Sequence, residues 1–119
     1  MLREGLIVKK SLDFSVIVVN YCESLEKRRK FIISNQLLKS GTSIGANVFE
    51  AQHSESRSDF VHKMKIALKE ANETFYWLSL CERMNEEVVP KEALSGINEI
   101  IAILSKIIIT SKKNLNAER

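Results

Sequence analysis

The sequence predicts an all-α fold, an antiparallel up-down-up-down four-helix bundle, and three features carry that prediction. The chain has 119 residues, room for one domain built around one core. It contains one proline and four glycines, too little turn chemistry for many short strands. Its apolar residues also recur at helical spacing over stretches far longer than the ~10 residues of a long strand. A single domain over residues 1–119, with helices near 6–25, 32–52, 57–85 and 91–111, accommodates the whole pattern.

The first helix spans Leu6 to about Leu25. Its cluster Val16-Ile17-Val18-Val19 would suit a strand by propensity, but the unbroken length of the segment decides for helix. The charged run Glu26-Lys27-Arg28-Arg29-Lys30 marks its end, with cations near the negative end of the helix dipole. In the second helix Leu37, Gly41, Ile44, Val48 and Ala51 define one apolar stripe. Gly41 and Gly45 are spaced for close helix packing, which would offset the ~1 kcal/mol that each glycine costs in a helix.

Ser56, followed three residues later by Asp59, caps the third helix. There Phe60, Met64, Ala67, Ala71, Phe75 and Leu78 form the expected core stripe, opposite a polar face containing Lys65, Lys69 and Arg83. The loop Glu86–Lys91 contains Pro90, which suits the first turn of the fourth helix. That helix runs to about Ser111, and Lys112–Arg119 is expected to fray.

Composition narrows the function classes. The net charge of +3 permits an acidic partner without requiring one. Cys22 and Cys81 are the only cysteines, and their apolar settings predict buried free thiols in a reducing cytoplasm. The start Met1-Leu2-Arg3-Glu4-Gly5 lacks a signal-peptide pattern. The strongly apolar runs at Val16–Val19 and Ile100–Ile109 fall short of the ~20 residues that span a bilayer, so no membrane contact is expected.

Catalytic chemistry finds no support. Phosphate-binding glycine loops, zinc-ligand spacings and nucleophile motifs are all absent. Glu50-Ala51-Gln52-His53 has the Glu-x-x-His spacing of di-metal bundles, but those sites require a second such motif and further carboxylates. No cofactor, metal or catalytic residue is expected.

Surface patterning suggests binding instead. Between Phe31 and Ser54 only Lys39 and Glu50 carry formal charge, too few for the solvent face of a monomeric bundle helix. On the third helix Ile66, Trp77 and Met84, flanked by Glu70 and Glu73, line up away from the expected core and form a candidate oligomer interface. The fourth helix is apolar over more than one stripe. Lys27, Arg28, Arg29 and Lys30 form a candidate phosphate-contacting patch without interleaved aromatics, and Arg57, Lys112 and Lys113 are expected near another end.

Two central segments carry a family resemblance. Ser43-Ile44-Gly45-Ala46-Asn47-Val48-Phe49-Glu50 and Ile66-Ala67-Leu68-Lys69-Glu70-Ala71-Asn72-Glu73, within a similarity over nearly the whole chain, resemble bacterial four-helix-bundle proteins encoded by intervening sequences of large-subunit ribosomal RNA genes. Phe49 and Ala51 stand where the pattern commonly has alanine and glycine, and Gly45 where proline is frequent. The resemblance implies a cytoplasmic bundle assembling into a ring, often a pentamer, with no catalytic residues. It also implies a bundle or interface role for Asn47, Glu50, Glu70 and Glu73. The accessory protein of diversity-generating retroelements, a basic pentamer that binds nucleic acid and a reverse transcriptase, is similar in fold. The functional expectation is a non-enzymatic homo-oligomer associated with RNA or DNA backbone; the alternative is a purely protein-binding scaffold.

Overall fold

Four α-helices fill the segments that lack breakers: α1 (Leu6–Lys27), α2 (Phe31–Ala51), α3 (Arg57–Arg83) and α4 (Lys91–Ala117). They come from a computed structural model that describes residues 5–84 and 88–117. Each helix packs on its neighbours in sequence, and α1 closes the ring on α4, giving the antiparallel up-down-up-down bundle. Asn85, expected to end the third helix, and Glu86 and Glu87 of the loop lie outside the described residues, as do Glu118 and Arg119 of the tail.

The α1–α2 pair is set by a missing side chain. A Cβ on Gly41 would lie 2.8 Å from both γ-carbons of Val18, a residue that is itself buried. Val18 is β-branched and has essentially one rotamer in a helix, so its methyls cannot swing aside. Gly45, one turn further on, is less constrained, with its added Cβ 3.4 Å from the Ser11 carbonyl oxygen. The glycine spacing therefore serves packing within one chain, and gives no support to contact between chains.

Between α2 and α3 the core carries hydroxyls. Ser40 and Thr74 are fully buried and share a hydrogen bond of 2.9 Å, while Thr74 Oγ1 also lies 2.8 Å from the Glu70 carbonyl. Thr74 thus occupies the core position expected for Phe75, which is 43% exposed. A threonine bonded to its own preceding turn can be buried at little cost. The rest of the α3 core stripe holds for Met64, Ala67, Ala71 and Leu78, with Val61 and Cys81 extending it. Phe60 packs half-buried against it.

The α4 helix leans unevenly on its neighbours. Its first half meets α1, where Lys10 Nζ bonds Glu99 Oε1 at 2.9 Å and an added Cβ on Gly96 would lie 3.0 Å from Phe14. Its last turns lie beside the start of α3, where Leu115 and Val61 line one groove. The expected fraying at Lys112 is therefore corrected: lysine, leucine and alanine favour helix, Leu115 is half-buried beside α3, and the helix runs through Ala117. Length and composition alone would let α4 cross a bilayer, with a mean hydropathy of 1.6 over its most apolar stretch. In the bundle its stripe Ala93, Ile97, Ile100, Leu104 and Ile108 is buried in the core.

Both thiols are free and buried. Cys22 donates to the Ser34 carbonyl at 3.5 Å, and burial pushes its pKa up to about 11, which keeps it protonated.

Substituting the two glycines separates packing from propensity. Gly41→Ala should lower stability by roughly 1–2 kcal/mol, because overpacking against Val18 exceeds the gain in helix propensity. Gly45→Ala should be neutral or slightly stabilising. Urea denaturation of the two variants checks this, and equal midpoints would show that α1 yields without strain.

Candidate nucleic-acid interface and apolar faces

The basic run folds into a tight turn between α1 and α2. Arg29 N–H donates to the Glu26 carbonyl and Lys30 N–H to the Leu25 carbonyl, each at 2.9 Å. This pair of bonds closes the helix C-terminus in the Schellman pattern, which normally places glycine at the left-handed residue. Here that residue is Arg29, with φ of 62°. A left-handed backbone costs a residue with a Cβ ~1–2 kcal/mol.

The turn brings all four predicted cations together. Lys27, Arg28 and Arg29 are exposed and Lys30 is half-buried. The patch also has an aromatic neighbour, contrary to the sequence expectation: the Arg29 guanidinium sits 5.8 Å over the ring centre of Phe31. Phe31 is 47% exposed and Ile32 81%. Both follow the basic residues directly in sequence, but only the turn shows their rings and methyls sharing one surface with the cations. Glu23 and Glu26 flank Lys27, and the Glu26 carboxylate accepts from the Ser34 hydroxyl at 3.3 Å.

Ile66, Glu70 and Trp77 on α3 and Met84 at its C-cap are half-buried, and Glu73 is exposed. Trp77 packs against the core margin, its indole N–H donates to Glu73 at 3.3 Å, and Tyr76 meets its ring edge-on at 5.0 Å. A second apolar surface escaped the sequence reading. Leu12, Val16 and Val19 form an exposed ladder on α1. Beside it lies a groove of about 220 Å³ lined by Leu12, Ser15, Thr42, Gly45, Ala46 and Phe49. The ladder has the helical spacing of a core stripe, and sequence alone could not tell which stripe of α1 the bundle buries.

The remaining candidates are ordinary in geometry. Asn47 is half-buried and donates to the Ser43 carbonyl at 2.8 Å, within its own helix. Glu50 and His53 are exposed, with His53 beyond the end of α2. Among the described residues no group of three His, Cys, Asp or Glu side chains could hold a metal. At the other end of the bundle Lys112 comes beside Lys65 of α3, a pairing that the sequence did not suggest.

Comparison with known proteins now bears on these features. The 23S rRNA-intervening sequence protein model matches residues 3–110. The chain belongs to that family. A crystal structure of a protein of unknown function from the S23 ribosomal protein family of Bacteroides thetaiotaomicron is similar at 46% identity and a TM-score of 0.80. The similarity covers 87% of this chain and 98% of that one. No curated protein matches. As a member of the intervening-sequence family the chain is a small all-helical protein.

The strained turn offers a direct test. Arg29→Gly should raise stability by about 1 kcal/mol by relieving the left-handed arginine. A melting curve checks it; a lower melting temperature would mean that the Arg29 side chain contributes more over Phe31 than its backbone costs.

Proposed function

We propose that this protein is a cytoplasmic homo-oligomer that acts as an adaptor on nucleic-acid backbone, holding phosphates through the α1–α2 turn. The observation that carries this reading is Arg29, a cation kept at a left-handed position where glycine would relieve strain. Lys27 and Arg28 project from the same turn. Phe31 and Ile32 beside them add apolar contact for unpaired bases. Assembly would repeat this patch around a symmetry axis and so multiply weak phosphate contacts.

The two apolar surfaces support assembly. A ring of more than two subunits joins two different surfaces at each interface. The Leu12–Val16–Val19 ladder with its groove is one candidate, and the α3 flank of Ile66, Glu70, Glu73, Trp77 and Met84 is the other. The family resemblance favours a pentamer. Light scattering at micromolar concentration should give a multiple of the chain mass, and Val16→Glu or Trp77→Ala should reduce it while leaving helicity intact. A clean wild-type monomer would remove the ring.

Nucleic-acid binding makes a separate prediction. Labelled single-stranded RNA and DNA should bind at low salt and weaken steeply as salt rises. Replacing Lys27, Arg28 and Arg29 with alanine should flatten that slope by about 2 for three lost phosphate contacts. If neither strand binds at low salt, the alternative is a purely protein-binding scaffold. Ile32 and Val88, 81% and 85% exposed, favour that second reading because large exposed apolar side chains can anchor a protein partner.

A further inference from the structure

The bundle end opposite the α1–α2 turn holds a second cluster of cations that the preceding reading does not use. A groove of about 390 Å³ opens there between the first turns of α3 and the last turns of α4. Its polar lining consists of Ser58, His62, Lys65, Lys112 and Asn116, over a floor that includes Val61 and Leu115. All five polar side chains can donate hydrogen bonds. None of the residues lining the groove is a carboxylate. The nearby Asp59 is engaged elsewhere, accepting from Lys63 at 3.3 Å and from the Glu55 backbone N–H at 3.2 Å.

Lys65 and Lys112 line the same groove from adjacent helices, although the two residues are 47 positions apart in sequence (112 − 65). Surface lysines ordinarily pair with carboxylates, yet neither of these forms an ion pair among the described residues. Two ammonium groups on one groove whose lining holds no carboxylate leave a place for an anion. The Lys112 side chain beside it, by direct interaction and then by its charge, holds Lys65 below the usual lysine range. The positive end of the α3 dipole adds to the same field, since Ser58 lies in the first turn. No aromatic side chain lines the groove, so it has the means to hold a phosphate and none to stack a base.

We propose that the α3–α4 groove is a phosphate-binding site in which Lys65 and Lys112 clamp the anion and Ser58, His62 and Asn116 donate to its remaining oxygens. The volume lies within the range of about 300–1,000 Å³ typical of small-molecule sites, so the phosphate can arrive on an organic body. It comes either on a free phosphorylated compound or on a nucleic-acid strand. The site does not depend on the α1–α2 turn, which lies at the opposite end of the bundle.

Titration of the full chain with inorganic phosphate, followed by NMR, tests the proposal. Saturable shifts should concentrate on the Ser58 and Asn116 amides and the Lys65 and Lys112 ammonium groups, with the Lys65 pKa rising as the anion relieves its repulsion. The double variant K65Q–K112Q should bind phosphate roughly ten-fold more weakly or worse, through loss of charged hydrogen bonds. Both lysines are exposed, so the bundle should survive, and circular dichroism confirms it. Shifts spread evenly over all surface lysines, or identical in wild type and double variant, would overturn the site. A second arm uses a short 5′-phosphorylated oligonucleotide with protein carrying alanine at Lys27, Arg28 and Arg29. Groove shifts with the oligonucleotide support the site with a strand as the source. Shifts with inorganic phosphate alone support it with a small compound as the source.

Discussion

Contact between Gly41 and Val18 is the constraint on which the rest of the bundle rests. It brings α1 and α2 close enough that the facing positions must be small, and Ser15, Thr42, Gly45 and Ala46 meet that demand. Small side chains leave a shallow trough, and Leu12 and Phe49 rise at its margins. The same approach sets the length of the connection, because two helices this close can be joined by a turn as tight as the one through Arg29.

Polar groups enter the core where the helices themselves satisfy them. Ser11 donates to the Val8 carbonyl, and the Ser34 hydroxyl shares its proton between the Cys22 carbonyl and the Glu26 carboxylate across the α1–α2 contact. Ser40 and Thr74 bond each other between α2 and α3. Such hydroxyls occupy less volume than leucine and do not leave donors unmet, so helices can approach closely without a desolvation penalty. The Ser40–Thr74 bond also links defined positions of two helices, which aliphatic packing alone fixes less firmly.

The helices were legible because the chain has so few breakers, and the core stripe of α2 was legible residue by residue. What failed in the sequence reading failed for identifiable reasons. Thr74 and Phe75 are adjacent, and hydrophobicity favours the phenylalanine, whereas burial followed the residue whose hydroxyl found partners in the Glu70 carbonyl and in Ser40 of α2. The end of α4 was misjudged because its last turns lack a strong apolar period, and their support comes from α3. Val16 and Val18 are alike in composition, and only the position of Gly41 on another helix decides which is buried. Of the candidate sites, the α1–α2 cations are contiguous and could be read directly. Lys65 and Lys112 could not be, since only the fold unites them.

Arg29 has a comparative consequence. Its φ of 62° belongs to the backbone turn, so any chain sharing this turn meets the same steric demand whatever residue it carries there. Glycine adopts this conformation freely, so a member with glycine there carries none of the strain that Arg29 does. A member with any residue that bears a Cβ carries the same backbone cost, and asparagine or aspartate carries less of it than arginine.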